Sequence, residues 1–275
     1  MTIPVALTIA GSDSGGGAGI QADLRTFSFH QVHGTSAITC ITAQNTLGVN
    51  RVDVLPPEAI TAQIQAVTND IGIQAAKTGM LPSATIIAAV AQCVKSLNVT
   101  NLVVDPVMVS RAGAQLIEDE AIATLRQDLI PLATVLTPNR YEAQILSGLT
   151  IDTLEEMKQA ASQILQLGPQ TVVVKGGGMT GKLRGVDVCC DRHGVTVIET
   201  ETVDTPDTHG TGCTLSAAIA ANLALAHPIN AAIHRGKQYV TTALHHSLRI
   251  GSGQGPVGHF FPLIQQQGEP TQSAS

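Results

Sequence analysis

The chain has 275 residues, of which 44% are hydrophobic and only 2% aromatic, and its formal net charge is −6. Its apolar content excludes an intrinsically disordered chain. The negative charge, together with the scarcity of aromatic rings that could stack on bases, argues against a nucleic-acid partner.

Short β-branched runs alternate with longer amphipathic stretches over most of the chain. Such runs are typical of strands buried on both faces of a parallel sheet, and the stretches between them suit crossover helices on both faces. The predicted strands are residues 5–10, 37–42, 102–105, 134–137 and 171–175, and the predicted helices include 57–71, 83–97, 119–130 and 152–167.

The pattern changes after residue 175. Two alternating segments, 186–190 and 195–199, flank the turn sequence DRHG and predict a β-hairpin. Two alanine-rich helices are expected to follow, ending near residue 248. We expect residues 1–264 to form one domain and residues 265–275 to be a polar, disordered tail.

A glycine-rich loop, residues 10–23, follows the first predicted strand and opens a helix. Its glycines let the backbone approach a ligand closely and expose N–H groups at a helix N-terminus. A dinucleotide-binding loop would look similar, but it needs an acidic ribose ligand about 20 residues further on. No Asp or Glu lies between Asp23 and Asp53, so a nicotinamide enzyme is disfavoured. A tight turn that binds no ligand is the alternative.

Oxygen ligands cluster where later strands end. Asn139 and Glu142 are three residues apart and share a helical face, while Asp105 ends another predicted strand. Carboxylate and amide oxygens are ligands for a hard cation or its bound waters. The alternative makes Asn139 a helix cap and Glu142 a solvated charge.

Two further features indicate a phosphate group. Gly210 and Gly212 lie in a turn ahead of an apolar helix, where free N–H groups and the helix dipole create an anion-binding site. Lys175 leaves a buried strand for a glycine loop, where a phosphate partner would explain its charge, although a surface lysine is the alternative. The chain contains no G-x-x-x-x-G-K-[ST] sequence, so the P-loop form of phosphate binding is absent.

The cysteines indicate a reducing compartment. None of the five forms a C-x-x-C pair or a metal-ligand spacing, as expected of a cytoplasmic protein. The first residues lack a basic region and a cleavage site, and no apolar stretch reaches the ~18 residues that a membrane-spanning helix needs. We therefore expect no signal peptide and no membrane segment.

Taken in order, seven segments resemble the ribokinase-like superfamily, and most closely its hydroxymethylpyrimidine and phosphohydroxymethylpyrimidine kinases of thiamine biosynthesis. The likeness extends from Ala6 to Leu263. The segments that carry it are residues 10–23, 42–46 (TAQNT), 77–81 (KTGML), 105–107 (DPV), 137–143 (TPNRYEA), 209–214 (HGTGCT) and 255–257 (GPV).

The resemblance implies an α/β fold: a three-layer α/β/α sandwich with a central, mostly parallel sheet and a small β-hairpin. It also implies a homodimer that uses ATP and Mg²⁺ to phosphorylate 4-amino-5-hydroxymethyl-2-methylpyrimidine (HMP) and then its monophosphate. Alternatives are a pyridoxal kinase, an enzyme with both activities, and a non-catalytic pyrimidine-binding module.

The resemblance also assigns roles to residues of this chain. The amide of Gln44 would pair with the amino group and ring nitrogen of the pyrimidine. For Lys237, the alternative is an exposed lysine on a helix. The implied sets are Gly11, Asp23, Gln44, Met80 and Val107 for the pyrimidine; Asp105, Asn139, Lys175, Thr211 and Lys237 for ATP; Asp105, Asn139 and Glu142 for the metal; and Gly210, Thr211, Gly212 and Cys213 for catalysis.

Cys213 stands where most sugar kinases of the superfamily have the aspartate base. The pyrimidine kinases resemble this chain in having cysteine there. A helix N-terminus lowers the pKa of a thiol from its usual ~8.5, so we expect a thiolate base near neutral pH. The alternative is that Cys213 is a small buried residue without a catalytic role.

Overall fold

The computed structural model describes residues 3–108 and 117–267. Their strands form one sheet in the order β3-β2-β1-β4-β5-β6-β7-β8-β9. Strands β2, β1, β4, β5, β6 and β7 are parallel, and β3, β8 and β9 pair antiparallel at the two ends. The strands are β1 Val5–Asp13, β2 His33–Gln44, β3 Val49–Val54, β4 Ala75–Thr78, β5 Leu102–Val104, β6 Val135–Leu136, β7 Thr171–Val174, β8 Asp187–Asp191 and β9 Gly194–Ile198.

Helices cover both faces of this sheet. In β1, Leu7 and Ile9 belong to one apolar cluster and Ala6 to another on the opposite face, as expected of a strand buried on both sides. The first cluster includes residues of α2, α3 and α6, and the second includes residues of α1, α7 and α8. The helices are α1 Gly19–Phe29, α2 Pro57–Asp70, α3 Ala84–Ser96, α4 Asp119–Thr124, α5 Arg140–Ser147, α6 Leu154–Leu165, α7 Thr211–Ala224, α8 Ile229–His245 and α9 Phe261–Gln267.

The three-layer α/β/α prediction is confirmed, and so is the hairpin, which is β8 and β9. Two strands, β3 and β4, were not predicted. Helix α4 is shorter than the predicted 119–130, because a π-helical segment and a 3₁₀ turn containing Pro131 follow it. The predicted tail begins inside α9, which continues to Gln267, and residues 268–275 lie outside the described part of the chain. None of the helices within residues 3–108 and 117–267 is long and apolar enough to cross a membrane.

Parallel strands bring their carboxyl ends to one edge of the sheet, where open α/β sheets bind ligands. Asp13 ends β1, Lys77 lies near the end of β4, and Asp105 directly follows β5. Thr137 and Lys175 directly follow β6 and β7. Five separate segments therefore supply polar side chains to the same edge.

Candidate active site

The turn that was predicted to bind an anion, residues 210–213, forms the start of α7. Gly210 is the N-cap in the left-handed region, with φ of 80°. The N–H of Thr214 donates to the carbonyl of Gly210 at 2.8 Å. The N–H groups of Gly212 and Cys213 therefore lie ahead of the helical hydrogen-bond ladder, at the positive end of the helix dipole.

The glycine-rich loop packs directly on this turn. A Cβ atom on Gly210 would lie 1.8 Å from the carbonyl oxygen of Gly17, and a Cβ on Gly17 would lie 2.3 Å from Cδ2 of His209. Only glycine allows such close approach of two backbones. The two motifs, far apart in sequence, thus form one structural unit.

Asp13 joins that unit together, a role that the sequence did not reveal. Its Oδ1 accepts the N–H of Gly15 at 2.8 Å, while Oδ2 accepts the N–H groups of Gly17 at 3.1 Å and Ala18 at 2.9 Å. Nε2 of His209 lies 2.9 Å from the same Oδ2. Burial alone would raise the pKa of Asp13, but the bonds from His209 and Ala18 bring it below its usual value.

Of the residues predicted to bind a metal, Asp105 and Glu142 have buried side chains and Asn139 is half-buried. Lys175 donates to Oδ1 of Asp105 at 2.7 Å, and the hydroxyl of Ser216 lies 3.3 Å from Oδ2. Asn139 caps α5: its amide oxygen accepts the N–H of Glu142 at 3.0 Å, and the Glu142 carboxylate accepts the N–H of Asn139 at 2.7 Å. The cap interpretation of Asn139 is confirmed, whereas the solvated interpretation of Glu142 is wrong, because that side chain is buried.

Glu142 is buried beside Asp105 and Lys175, and both charges act on its carboxyl. Burial raises the pKa of its carboxyl well above the usual value even though Lys175 opposes the shift. A divalent cation near Asp105 and Glu142 would favour both carboxylates, and hard oxygen donors are the ligands that Mg²⁺ prefers. The residues present therefore fit a magnesium ion.

A cleft of about 330 Å³ opens beside the turn. Four of the predicted ATP residues line it: Asn139, Lys175, Thr211 and Lys237. Lys237 bonds to Asp187 at 2.8 Å and to the carbonyl of Gly185 at 2.6 Å. The alternatives that Lys175 and Lys237 are surface lysines are wrong, because their side chains are only 12% and 11% exposed.

Cys213 lies in the first turn of α7, where the charges of Lys77, Asp23 and Asp105 act on its thiol. Burial raises the pKa of its thiol to about 11, and Lys77 opposes this shift most strongly. The expectation of a thiolate near neutral pH is therefore wrong for the free protein. The helix N-terminus does not offset the loss of hydration, so Cys213 is a thiol at rest.

Asp23 lies beneath the site rather than in it. Its carboxylate bonds to Nζ of Lys77 at 2.9 Å and to the hydroxyl of Thr8 at 2.6 Å, and the Asp23 and Lys77 side chains are both fully buried. A carboxylate without exposed surface is not available to contact a pyrimidine. The predicted substrate contact is corrected to a supporting role, in which Asp23 holds Lys77.

The other predicted pyrimidine residues surround the same edge of the sheet. Gly11 lies inside β1, where an added Cβ would be 2.7 Å from Sγ of Cys40. Met80 and Val107 follow β4 and β5 and are half-buried. Gln44 ends β2, and its amide nitrogen lies 3.4 Å from Nε2 of His209. The side chain of Gln44 thus lies beside the residue that precedes the anion-binding turn.

Comparison with known proteins gives consistent matches. Residues 13–258 match the family model described as phosphomethylpyrimidine kinase. A hydroxymethylpyrimidine/phosphomethylpyrimidine kinase of Synechococcus elongatus is 60% identical over 264 residues, which are 96% of this chain and 100% of that protein. The thiamine biosynthetic bifunctional enzyme TH1 of Arabidopsis thaliana is 44% identical over 265 residues, 95% of this chain and 51% of that protein. A Bacillus subtilis pyridoxal kinase, solved as an ADP complex, superimposes with a TM-score of 0.90 at 42% identity and covers 96% of this chain and 100% of its own.

Proposed function

The chain belongs to the phosphomethylpyrimidine kinase family, and we propose that it transfers the γ-phosphoryl group of ATP to HMP and then to HMP monophosphate in thiamine biosynthesis. One observation carries the proposal. Gly212 lines the cleft that contains the predicted ATP residues, and Cys213 follows it on the same turn, where the N–H groups of both residues lie ahead of the helical hydrogen bonds. A phosphoryl group bound at this turn would lie between the nucleotide and the acceptor hydroxyl.

Phosphoryl transfer depends mainly on positioning and on neutralising charge on the transferred group. Gly212 and Cys213 would donate backbone N–H groups to its oxygens. Lys175 would add a positive charge, since an added Cβ on Gly212 would lie only 3.3 Å from Nζ of Lys175. Thr211 and Lys237 would bind the rest of the nucleotide from the wall of the cleft.

Mg²⁺ would be held by Asp105 and Glu142. It would supply charge neutralisation between the ATP phosphates when bound. Asn139 orients Glu142 through the capping box, and the second lone pair of its amide oxygen remains for the ion or a bound water. Mg²⁺ usually keeps several waters and takes one or two carboxylates plus substrate phosphates, which two acidic residues satisfy.

The two acceptor groups differ in whether the attacking oxygen still carries a proton. The hydroxymethyl group of HMP must lose a proton, whereas the monophosphate is already mostly ionised at neutral pH, with a second pKa of ~6. In this proposal Cys213 takes the proton of the alcohol through its thiolate form. Gln44 pairs with the aminopyrimidine edge, while Gly11, Met80 and Val107 enclose the ring. Asp23 holds the Lys77 side chain in place.

The proposed function predicts two successive products. Incubation of the protein with ATP, Mg²⁺ and HMP, followed by ³¹P NMR, should show a phosphate monoester first and a diphosphate later. A monoester that never gains a second phosphate would reject the second reaction. Tight HMP binding in calorimetry without any turnover would instead indicate a non-catalytic pyrimidine-binding module.

The second candidate is a pyridoxal kinase, which the similarity to the Bacillus subtilis structure favours. Pyridoxal also carries a hydroxymethyl group on an aromatic ring. Competition between pyridoxal and HMP in a coupled ADP assay separates a pyridoxal kinase from an HMP kinase. Comparable kcat/KM values for both substrates would mean that the enzyme has both activities.

The proposed assembly is a cytoplasmic homodimer. Three valines of β3, Val49, Val52 and Val54, are between 41% and 52% exposed, and Leu47 ahead of them is 73% exposed. Exposed valines on a strand at a sheet edge are a surface that a second copy would cover. All five cysteines are free thiols, as expected in a reducing compartment.

A further inference from the structure

The anion-binding turn of residues 210–213 contains two glycines, so its own side chains do little to fix its shape. Gly210 has a φ of 80°, and glycine adopts positive and negative φ about equally well. A misplacement of about 1 Å at a catalytic group can cost about a hundredfold in rate. Contacts from outside the turn are therefore needed to hold its N–H groups in place.

One segment, residues 255–259, contacts the chain on both sides of this turn. Its five residues are all buried, although they lie between α8 and α9. Ahead of the turn, the N–H of His209 donates to the carbonyl of Gly255 at 3.0 Å. Behind it, Nε2 of His259 lies 2.9 Å from the hydroxyl oxygen of Thr214. The segment thus brackets the turn.

The segment is itself held by α8 and the residues that follow this helix. A Cβ on Gly255 would lie 1.9 Å from the carbonyl oxygen of Leu248, so the two backbones are in direct contact. The hydroxyl of Tyr239 donates to the carbonyl of His259 at 3.1 Å. His259 therefore reaches Thr214 from a backbone that is fixed at both ends of the segment.

The hydroxyl of Thr214 connects the His259 ring to the first residue of the turn. Its single proton is donated to the carbonyl of Gly210 at 2.8 Å, since a carbonyl can only accept. The contact with His259 is then a hydrogen bond only if Nε2 of the ring donates. Burial lowers the pKa of His259 to about 4, so the ring is neutral at neutral pH, and this contact places its one proton on Nε2.

This chain of hydrogen bonds ends on the peptide group that opens the turn. The carbonyl of Gly210 accepts both the N–H and the hydroxyl of Thr214, each at 2.8 Å. Because a peptide group is planar, a fixed carbonyl also fixes the N–H on the other side of the same plane. The N–H groups of Gly212 and Cys213 come next along the helix, so their direction depends on that plane.

We propose that His259 is a positioning residue for phosphoryl transfer, which acts through Thr214 to fix the direction of the N–H groups in the anion-binding turn. The His259 side chain is buried, and its contact is with Thr214. The inference rests on the proposed function, because it concerns how the turn is held during the two phosphorylations. Since one turn serves both reactions, loss of the His259 contact should slow both equally.

The test uses two variants that break the chain of hydrogen bonds. His259→Leu removes the donor, and Thr214→Val removes the hydroxyl with little change in volume. His259→Gln keeps an N–H donor at a similar reach. His30→Leu is the matched control: its ring also contacts Tyr239, with centroids 4.5 Å apart, but Nδ1 lies 2.8 Å from the carbonyl of Thr26 in α1.

We expect kcat to fall about tenfold to a hundredfold in His259→Leu and in Thr214→Val, by the same factor for HMP and for HMP monophosphate. The KM values for ATP and for both acceptors should stay nearly unchanged, because the turn binds the phosphoryl group most strongly during its transfer. His259→Gln should recover most of the lost rate, and His30→Leu should leave it unchanged.

Aluminium fluoride, which mimics the transferred phosphoryl group, gives a second measurement. Calorimetry compares the binding of ADP with Mg²⁺ and HMP in the presence and absence of aluminium fluoride. In the unmodified protein aluminium fluoride should tighten the binding of ADP. In His259→Leu this gain should shrink by the same factor as kcat, while ADP alone should bind equally well to both proteins.

Unchanged kcat in both His259→Leu and Thr214→Val would overturn the proposal. So would a loss of ADP affinity as large as the loss of kcat, since it would show a general loosening of the fold. A loss confined to the HMP reaction would also overturn it, because the effect would then lie on the acceptor proton rather than on the turn. If His259→Leu does not fold, Thr214→Val decides the question by itself.

Failure of the proposed function is separate from failure of this inference, because it shows in the unmodified protein. A protein that does not phosphorylate HMP rejects that function before any variant is compared.

Discussion

Replacing Cys213 with alanine should slow phosphorylation of HMP about 10²- to 10⁴-fold, the usual contribution of a positioned general base. Conversion of the monophosphate to the diphosphate should change only a few-fold, because its acceptor oxygen has already lost its proton. Single-turnover rates of the two reactions, measured separately with saturating ATP and Mg²⁺, give the comparison.

The pH dependence follows from the raised pKa of the Cys213 thiol. Because its pKa is raised to about 11, the thiolate fraction of Cys213 increases about tenfold per pH unit from pH 7 to 10. The HMP rate should rise with it and should be flat over this range in Cys213→Ala, while the monophosphate rate should be flat in both proteins. Equal loss in the two reactions, or a flat HMP profile in the unmodified enzyme, would leave Cys213 only a positioning role.

Replacing Lys77 with methionine should lower the free energy of unfolding by about 3–5 kcal/mol. The Lys77 and Asp23 side chains are both fully buried, and the substitution leaves the Asp23 carboxylate without its counter-charge. Removing one partner of a buried pair costs far more than the pair contributes, because the remaining charge stays desolvated. Urea denaturation followed by circular dichroism measures the change.

Two further variants show whether the loss of stability comes from the unpaired buried charge. Lys158→Met removes a lysine whose partner Glu155, 3.3 Å away, is 83% exposed, and it should cost less than about 1 kcal/mol. The double variant Lys77→Met with Asp23→Leu removes both buried charges and should recover much of the lost stability. A single Lys77→Met variant as stable as Lys158→Met would contradict the importance of the buried pair.

The parallel strands that the sequence predicted have residues that are apolar on both faces, such as β5 and β7, whereas the hairpin strands β8 and β9 were predicted from the turn between them. Strand β4 is missed because its four residues, Ala75 to Thr78, contain two alanines and a lysine and lack a β-branched run. Strand β3 is missed because all six of its residues are exposed, which leaves no buried face to produce a periodic pattern.

The candidate site could be predicted where local chemistry is distinctive. The Asn139 and Glu142 spacing and the glycines of the anion-binding turn are recognisable from short segments. The roles of Asp13 and Lys77 were not recognisable, because their partners are distant: His209 is 196 residues from Asp13 and Asp23 is 54 residues from Lys77. The raised pKa of Cys213 depends on burial by several elements, which no local pattern reports.

The central claim is that the turn of residues 210–213 binds the phosphoryl group during its transfer from ATP to the pyrimidine. A crystal structure with HMP and a non-hydrolysable ATP analogue tests it most directly. We predict that the terminal phosphate accepts hydrogen bonds from the N–H groups of Gly212 and Cys213 and lies beside Lys175, with the HMP hydroxyl facing Cys213. A terminal phosphate bound away from this turn would contradict the claim.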